Sequence, residues 1–341
     1  MANLEFHNVH GAPYWHCGGD YKKVFLTKVS GPPGVLAYVF TANINLDFDG
    51  SPTAYGPPSK HPDDNLANAG LHAAGGYYGI MSMNPANPTD AAAIKNHKLE
   101  LDLTAPKDIL GRYPVKQKTG DSKPGFYVST SSVSTGQGTR YEQKHYVDSS
   151  AIAFGALSGG LMLRESKFAL NDFGLAIRHN LTRQSGLFFG DRGNGFALGE
   201  CSQKVFTNLG GTGKNNNFLI SYILFPGSRS GGTSEADVAA AVRVQLGKIS
   251  QTPNAGELPL LMAFYEQAHK DHSGLPLLKA YRKKTDAEKK KLPLPPNHAN
   301  ILAGLRAWGY WGEAYPFVSF LRDTADSAAS TLTSAIGRVL P

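Results

Sequence analysis

The run from Phe218 to Phe225, FLISYILF, constrains the fold more than any other stretch. It is almost wholly apolar and of strand length, so it reads as a strand buried in a core. Other short apolar runs share its character. Val35 to Leu46 reads as one or two strands, with Ile and Leu alternating with Asn at its end. Leu99 to Leu103 alternates as an edge strand would, and Gly125 to Ser131 reads as a strand with a polar outer face. Tyr146–Asp148 with Ala151–Phe154, Phe173–Ile177 and Gly186–Phe189 follow. The many turn residues between these runs, with 38 Gly and 21 Pro among 341 residues, predict short strands rather than a helical bundle.

After Phe225 the period changes. Ser234 can cap a helix with Asp237 at its third position, and Val238, Ala241, Val242 and Leu246 recur at helical spacing. Beyond Pro253 the pattern is helical, interrupted at Pro293, Pro295 and Pro296. The expected fold is therefore mainly β, of α+β type: a mixed β-barrel or sandwich-like body over residues 1–250, then a helical C-terminal region over 251–341.

The composition, 41% apolar and 18% charged, is that of a globular chain. The net charge of +7 suits an anionic polymer or surface better than a cationic one. Much of it sits in the runs 282–284 and 289–291, and such a run is usually a solvated helix face or linker. Cys17 and Cys201 do not make a disulfide scaffold, and two separate thiols are the expectation. His7, His10, His16 and Cys17 match no zinc spacing. Gly210 to Lys214 imitates a phosphate loop, but Asn215 stands where Ser or Thr is needed. No segment reads as a membrane span, no nucleic-acid partner is expected, and no signal peptide is read at the start. The expectation is a protein made in the cytoplasm that acts outside it by a non-Sec route.

The stretch from Phe188 to Glu200 carries the chemistry. An apolar run reaches Gly190-Asp191, a Gly-rich turn follows, and a second short run reaches Gly199-Glu200. One reading is a hairpin with solvated acids. The other is a strand, a loop and a strand that present two carboxyl groups, the pair that glycosidic cleavage needs. Asp47 and Asp49, in a strong Asp-Gly, Ser-Pro turn, read either as cleft acids or as turn caps.

Taken in order, several stretches resemble the chitosanase domain of glycoside hydrolase family 75. They are Asp47 to Tyr55, Asp64 to Gly70, Pro124 to Ser131, Tyr146 to Asp148, and Phe189 to Asp191 with Leu198 to Glu200. The match covers about residues 20–225 and leaves the C-terminal region outside. The resemblance implies an inverting hydrolase without a cofactor or metal, with Glu200 as general acid and Asp191 as general base. Asp47, Asp49, Tyr55 and Asp64 would bind substrate. An inverting pair needs carboxyl groups about 6.5–9.5 Å apart, and the acid needs a raised pKa, which Phe196 or Phe206 would supply. The substrate would be a β-1,4-linked aminosugar polymer, either chitosan or the glycan of peptidoglycan. The basic charge and the unread signal suit a muramidase-type antibacterial effector or a phage lysis enzyme, with a secretion-system component or an immunity protein as partner. The alternative is a non-catalytic polysaccharide or cell-wall binding module.

Overall fold

A computed structural model describes residues 24–250, apart from 25, 33, 165–167, 179–182, 194, 196, 214–218, 230–231 and 233, together with the backbone of 5–8 and 15–16. The proposed C-terminal region, 251–341, lies outside the described residues, as do Phe196, Cys17 and the side chains of the N-terminal histidines.

The described chain is mainly β. It opens with β1 (Glu5–Asn8), β2 (Trp15–His16), β3 (Thr27–Gly31), β4 (Gly34–Asn43) and β5 (Asn45–Asp47). A long, loop-rich excursion follows and holds β6 (Ser82–Met83), α1 (Pro88–His97) and β7 (Tyr113–Pro114). The chain then forms β8 (Phe154–Ser158), α2 (Gly159–Arg164), β9 (Phe173–Arg178), β10 (Gln184–Gly193), β11 (Ala197–Leu198), β12 (Glu200–Ser202), α3 (Gln203–Asn208), β13 (Leu219–Phe225) and α4 (Glu235–Ser250).

Nine strands form one mixed sheet in the order β1-β3-β4-β13-β9-β10-β8-β12-β5. Among the described residues the sheet is open, so the expected barrel is not closed, and no second large sheet faces it as in a sandwich. It is nonetheless strongly curled. Laid flat, β4 and β5 would lie six strand spacings apart, about 29 Å. Only Ile44 separates them in the chain, a link that reaches about 7 Å. The sheet must bend until its far edge returns beside the end of β4. There Asn45 N–H donates to the Gly199 carbonyl at 2.9 Å, and the Tyr222 hydroxyl donates to the same oxygen at 3.0 Å. Gly199 has φ +109, and a Cβ on it would lie 2.5 Å from the Asn43 carbonyl oxygen, so only glycine fits the seam.

Strand alternation divides the core in two. Tyr38, Phe40, Ala42, Leu157, Leu187, Phe189, Cys201, Tyr222 and Leu224 form a cluster on the face inside the curl, closed by Val205 and Phe206 of α3. Val39, Phe154, Phe173, Leu175, Phe188, Ile223 and Phe225 lie on the opposite face. There α4 covers them with Val238, Val242, Leu246 and Ile249, at the helical spacing expected, and Ser234 accepts the Asp237 N–H at 3.2 Å. Burying each such aliphatic side chain contributes about 1.5–3 kcal/mol.

Several local expectations fail. Leu99–Leu103 and Gly125–Ser131 form no strand, only isolated bridges such as Leu101 to Val115 and Lys116 to Tyr127. Asp102 turns the first segment away by accepting the Thr104 N–H and hydroxyl, at 3.1 and 2.6 Å. Strand β8 starts at Phe154, because Asp148 caps a turn by accepting the N–H and hydroxyl of Ser150. Helix α1 is capped by Asn87, whose side chain accepts from Thr89 and Asp90 N–H. Cys201 is a free, buried thiol.

A candidate carboxylate site

The acids meet because of one inserted residue. Phe188 pairs with Phe154 and Phe189 with Gly155, but the register then shifts and Asp191 pairs with Ala156. Gly190 is the extra residue, a β-bulge. Without it Asp191 would follow Phe189 onto the apolar face inside the curl. The bulge turns it to the other face, since a one-residue slip reverses every side chain beyond it. Glu200 and Asp47 reach that same face by ordinary alternation. Cys201 pairs with Gly155 and Leu46 inside the curl, so Glu200 and Ser202 point outward, and Asp47 is paired with Ser202. Continuing the antiparallel register sets Glu200 on one side of Ala156, with Asp191 on the other. Their Cα atoms are then two strand spacings apart, about 10 Å. The alternative hairpin is excluded, since β8 lies between β10 and β12.

Asp47, Asp49 and Asp191 each place a carboxylate oxygen within 4.8 Å of the other two. Asp47 and Asp191 are buried and Asp49 is half-buried. Asp191 is held by donors. The Ser132 hydroxyl, the Ser132 N–H at 3.2 Å and the Arg192 N–H at 2.6 Å all reach its Oδ1. Asp47 Oδ1 accepts the Asp49 N–H at 2.8 Å, and Asp49 Oδ1 accepts the Tyr55 hydroxyl at 2.6 Å. Three oxygens this close suit either a shared proton or a cation held between carboxylates.

Burial raises the pKa of all three. For Asp47 it is followed by the charges of Asp49, Glu200 and Asp191, which push the carboxyl well above the usual range. For Asp49, burial and the Asp191 charge outweigh the Tyr55 hydrogen bond. For Asp191, burial outweighs the hydrogen bonds from Ser132 and Arg192 that favour the ionised form. Glu200 is half-buried, and a Cβ on Gly193 would lie 3.0 Å from its Oε2, so its carboxyl reaches toward the C-terminal end of β10.

The turn that carries Asp47 and Asp49 is fixed from below by Gln143. Its Nε2 donates to the Gly50 and Ser129 carbonyls, at 2.7 and 3.1 Å, and its Oε1 accepts the Ser129 N–H at 2.8 Å. Ser129 Oγ accepts the Gly50 N–H at 2.9 Å. Gly50 has φ +82, and a Cβ there would sit 1.9 Å from the Val147 carbonyl oxygen.

Of the expected substrate contacts, Tyr55 is buried, so the structure places it as a support of Asp49. Asp64 lies at the rim, where its Oδ1 accepts the Asn65 N–H at 2.8 Å and Asn68 Nδ2 at 2.7 Å. Its charge still reaches Asp49 and Tyr55. Phe206, expected beside Glu200, belongs to the core inside the curl. Ser132, Gln143 and Ser129 escaped the sequence reading. Polar residues in a loop between strands carry no periodic signal, and their partners are distant in the chain.

No family model matches this chain, and no curated protein matches it.

Proposed function

We propose that this chain is a glycoside hydrolase that cleaves β-1,4 bonds of an aminosugar polymer by an inverting mechanism. The observation that carries the reading is the convergence of Asp47, Asp49, Asp191 and Glu200 on one face of the sheet, from strand ends remote in sequence. Asp191 is the general base. Three donors on Oδ1 fix its orientation and leave Oδ2 to take a proton from water. Glu200 is the general acid that protonates the leaving oxygen. Asp191 and Glu200 flank Ala156 from the two neighbouring strands, on the same face of the sheet. Asp47 and Asp49 set their carboxylates beside Asp191, and burial raises the proton affinity of Asp191 itself.

Two polymers fit. The local field of five acids, counting Asp64, favours a polymer with protonated amines, as in chitosan. The overall charge of +7 favours the anionic peptidoglycan wall and with it the antibacterial or lytic role.

The test is product analysis with chitosan and with peptidoglycan sacculi, for the parent and for the Asp191→Asn and Glu200→Gln variants. The expected outcome is release of oligosaccharides from one polymer, with inversion seen by proton NMR, and a fall of about 10²–10⁴-fold in each variant. Full activity in either variant would remove that residue from its role. Binding without cleavage of either polymer would leave a binding module.

A further inference from the structure

We propose that Tyr78 is a platform on which one sugar ring of the aminosugar chain lies beside the acid cluster. This rests on the reading above. Large exposed hydrophobic side chains among the described residues are Tyr78, Leu103, Ile109, Leu110 and Val244, and Tyr78 alone of these is aromatic, at 63% exposure. An exposed ring on a mobile loop would say little, but this one is anchored. The Tyr78 N–H donates to the Ala69 carbonyl at 3.0 Å, and Thr130 Oγ1 donates to the Tyr78 carbonyl at 2.8 Å. The preceding Tyr77 is buried, with its N–H on Asp108 Oδ2 and its hydroxyl on the Pro106 carbonyl, both at 2.8 Å. The following Gly79 donates to Ala69 at 3.2 Å.

The ring is also supported from one side. A Cβ on Gly70 would lie 2.5 Å from Tyr78 Cδ1 and 2.7 Å from Cε1, so the ring rests on bare glycine backbone. Its position is set by Gly79, where a Cβ would lie 2.7 Å from Asp49 Oδ1. The platform therefore begins one residue from the carboxylates. Partial burial and the charges of Asp49, Glu200, Asp64 and Asp47 raise the pKa of its hydroxyl, so the ring stays neutral. A β-1,4-linked pyranose presents apolar C–H faces to such a ring, and a protonated amine is attracted to its π-face. A rigid aromatic surface beside convergent polar groups is what a small-molecule or glycan subsite requires.

The experiment is calorimetric titration of the full chain in a Glu200→Gln background with two probes, the β-1,4 tetramer of glucosamine and that of N-acetylglucosamine. Tyr78→Ala and Tyr78→Leu should each weaken binding about tenfold, and Tyr78→Phe and Tyr78→Trp should stay within about threefold of the parent. Leucine keeps apolar bulk against Gly70, so it separates the loss of stacking from a loss of folding. The tetramer that binds more tightly identifies whether the free amine or the acetamide is read. In the active protein, Tyr78→Leu should raise KM with little change in kcat. Equal binding by the leucine variant and the parent overturns the platform and leaves the catalytic assignment standing. Retained turnover in Glu200→Gln overturns the catalytic assignment, while the titration still decides the platform. Failure of the parent to bind either tetramer overturns the platform, and the product analysis with the two polymers still decides the catalytic assignment.

Discussion

Replacing Asp47 by Asn should stabilise the protein at neutral pH and leave it nearly unchanged at pH 4. The oxygens of Asp47, Asp49 and Asp191 lie within 4.8 Å of one another. At an effective dielectric constant of about 20, two unit charges at that distance repel by about 3.5 kcal/mol. A proton resident in the cluster removes part of this, and water screens the half-buried Asp49. The net relief is then about 1–3 kcal/mol. The sign follows from linkage. All three carboxyls have raised pKa values, from burial first, with the charge of a neighbouring carboxylate next for Asp47 and Asp49. Between the unfolded value, about 3.9, and the raised ones, the folded state binds more protons than the unfolded state. Stability is therefore greatest below the unfolded pKa and is lost as pH rises through the folded values. Asparagine keeps the acceptor for the Asp49 N–H and removes one charge. Urea denaturation of the parent and of Asp47→Asn at pH 4 and pH 8, with a chelator present, reads the difference directly. About 1 kcal/mol at pH 8 would also appear as a rise of about 2–4 °C in Tm. A variant no more stable than the parent at pH 8 would refute the reasoning. If added calcium or manganese made the variant the less stable of the two, a cation rather than a proton would be what neutralises the cluster.

Ser132→Ala removes one of three donors to Asp191 Oδ1 and so disfavours its ionised form. The loss of a hydrogen bond to a charged group, about 1.5–3 kcal/mol, should move the acid limb of the pH–rate profile up by about one to two units. An unmoved limb would mean that Asp191 does not titrate in catalysis. Gln143→Ala strands the buried Gly50 carbonyl and the Ser129 backbone groups. It should cost about 2–3 kcal/mol in urea unfolding and lower activity by loosening the Asp47–Asp49 turn, and wild-type stability would show that the turn is held elsewhere.

Periodicity carried the sheet strands that are long and apolar. The runs at 35–46, 173–177, 186–189 and 218–225 became β4 with β5, β9, β10 and β13 because each buries side chains on both faces of one sheet. Helix α4 was equally legible, since its cap and its apolar stripe are local. The strand-like patterns at 99–103 and 125–131 misled because alternation there serves turns and single bridges. Asp191 and Glu200 were visible as a pair, and Asp47 and Asp49 as a turn. That all four share one face was not visible.

What the sequence by itself determined is local: which runs are apolar enough to be strands, where a helix is capped, and which carboxyls stand beside glycines. Tertiary structure decided the rest. The curl of the sheet follows from β4 and β5 being joined by a single residue while lying six strands apart in the pairing order. The face that Asp191 takes follows from the register shift at Gly190. The proton affinity of the cluster follows from burial and from neighbours brought in from positions 47, 49, 191 and 200. Pairing, register and desolvation arise only between segments distant in the chain, so no window of the sequence contains them.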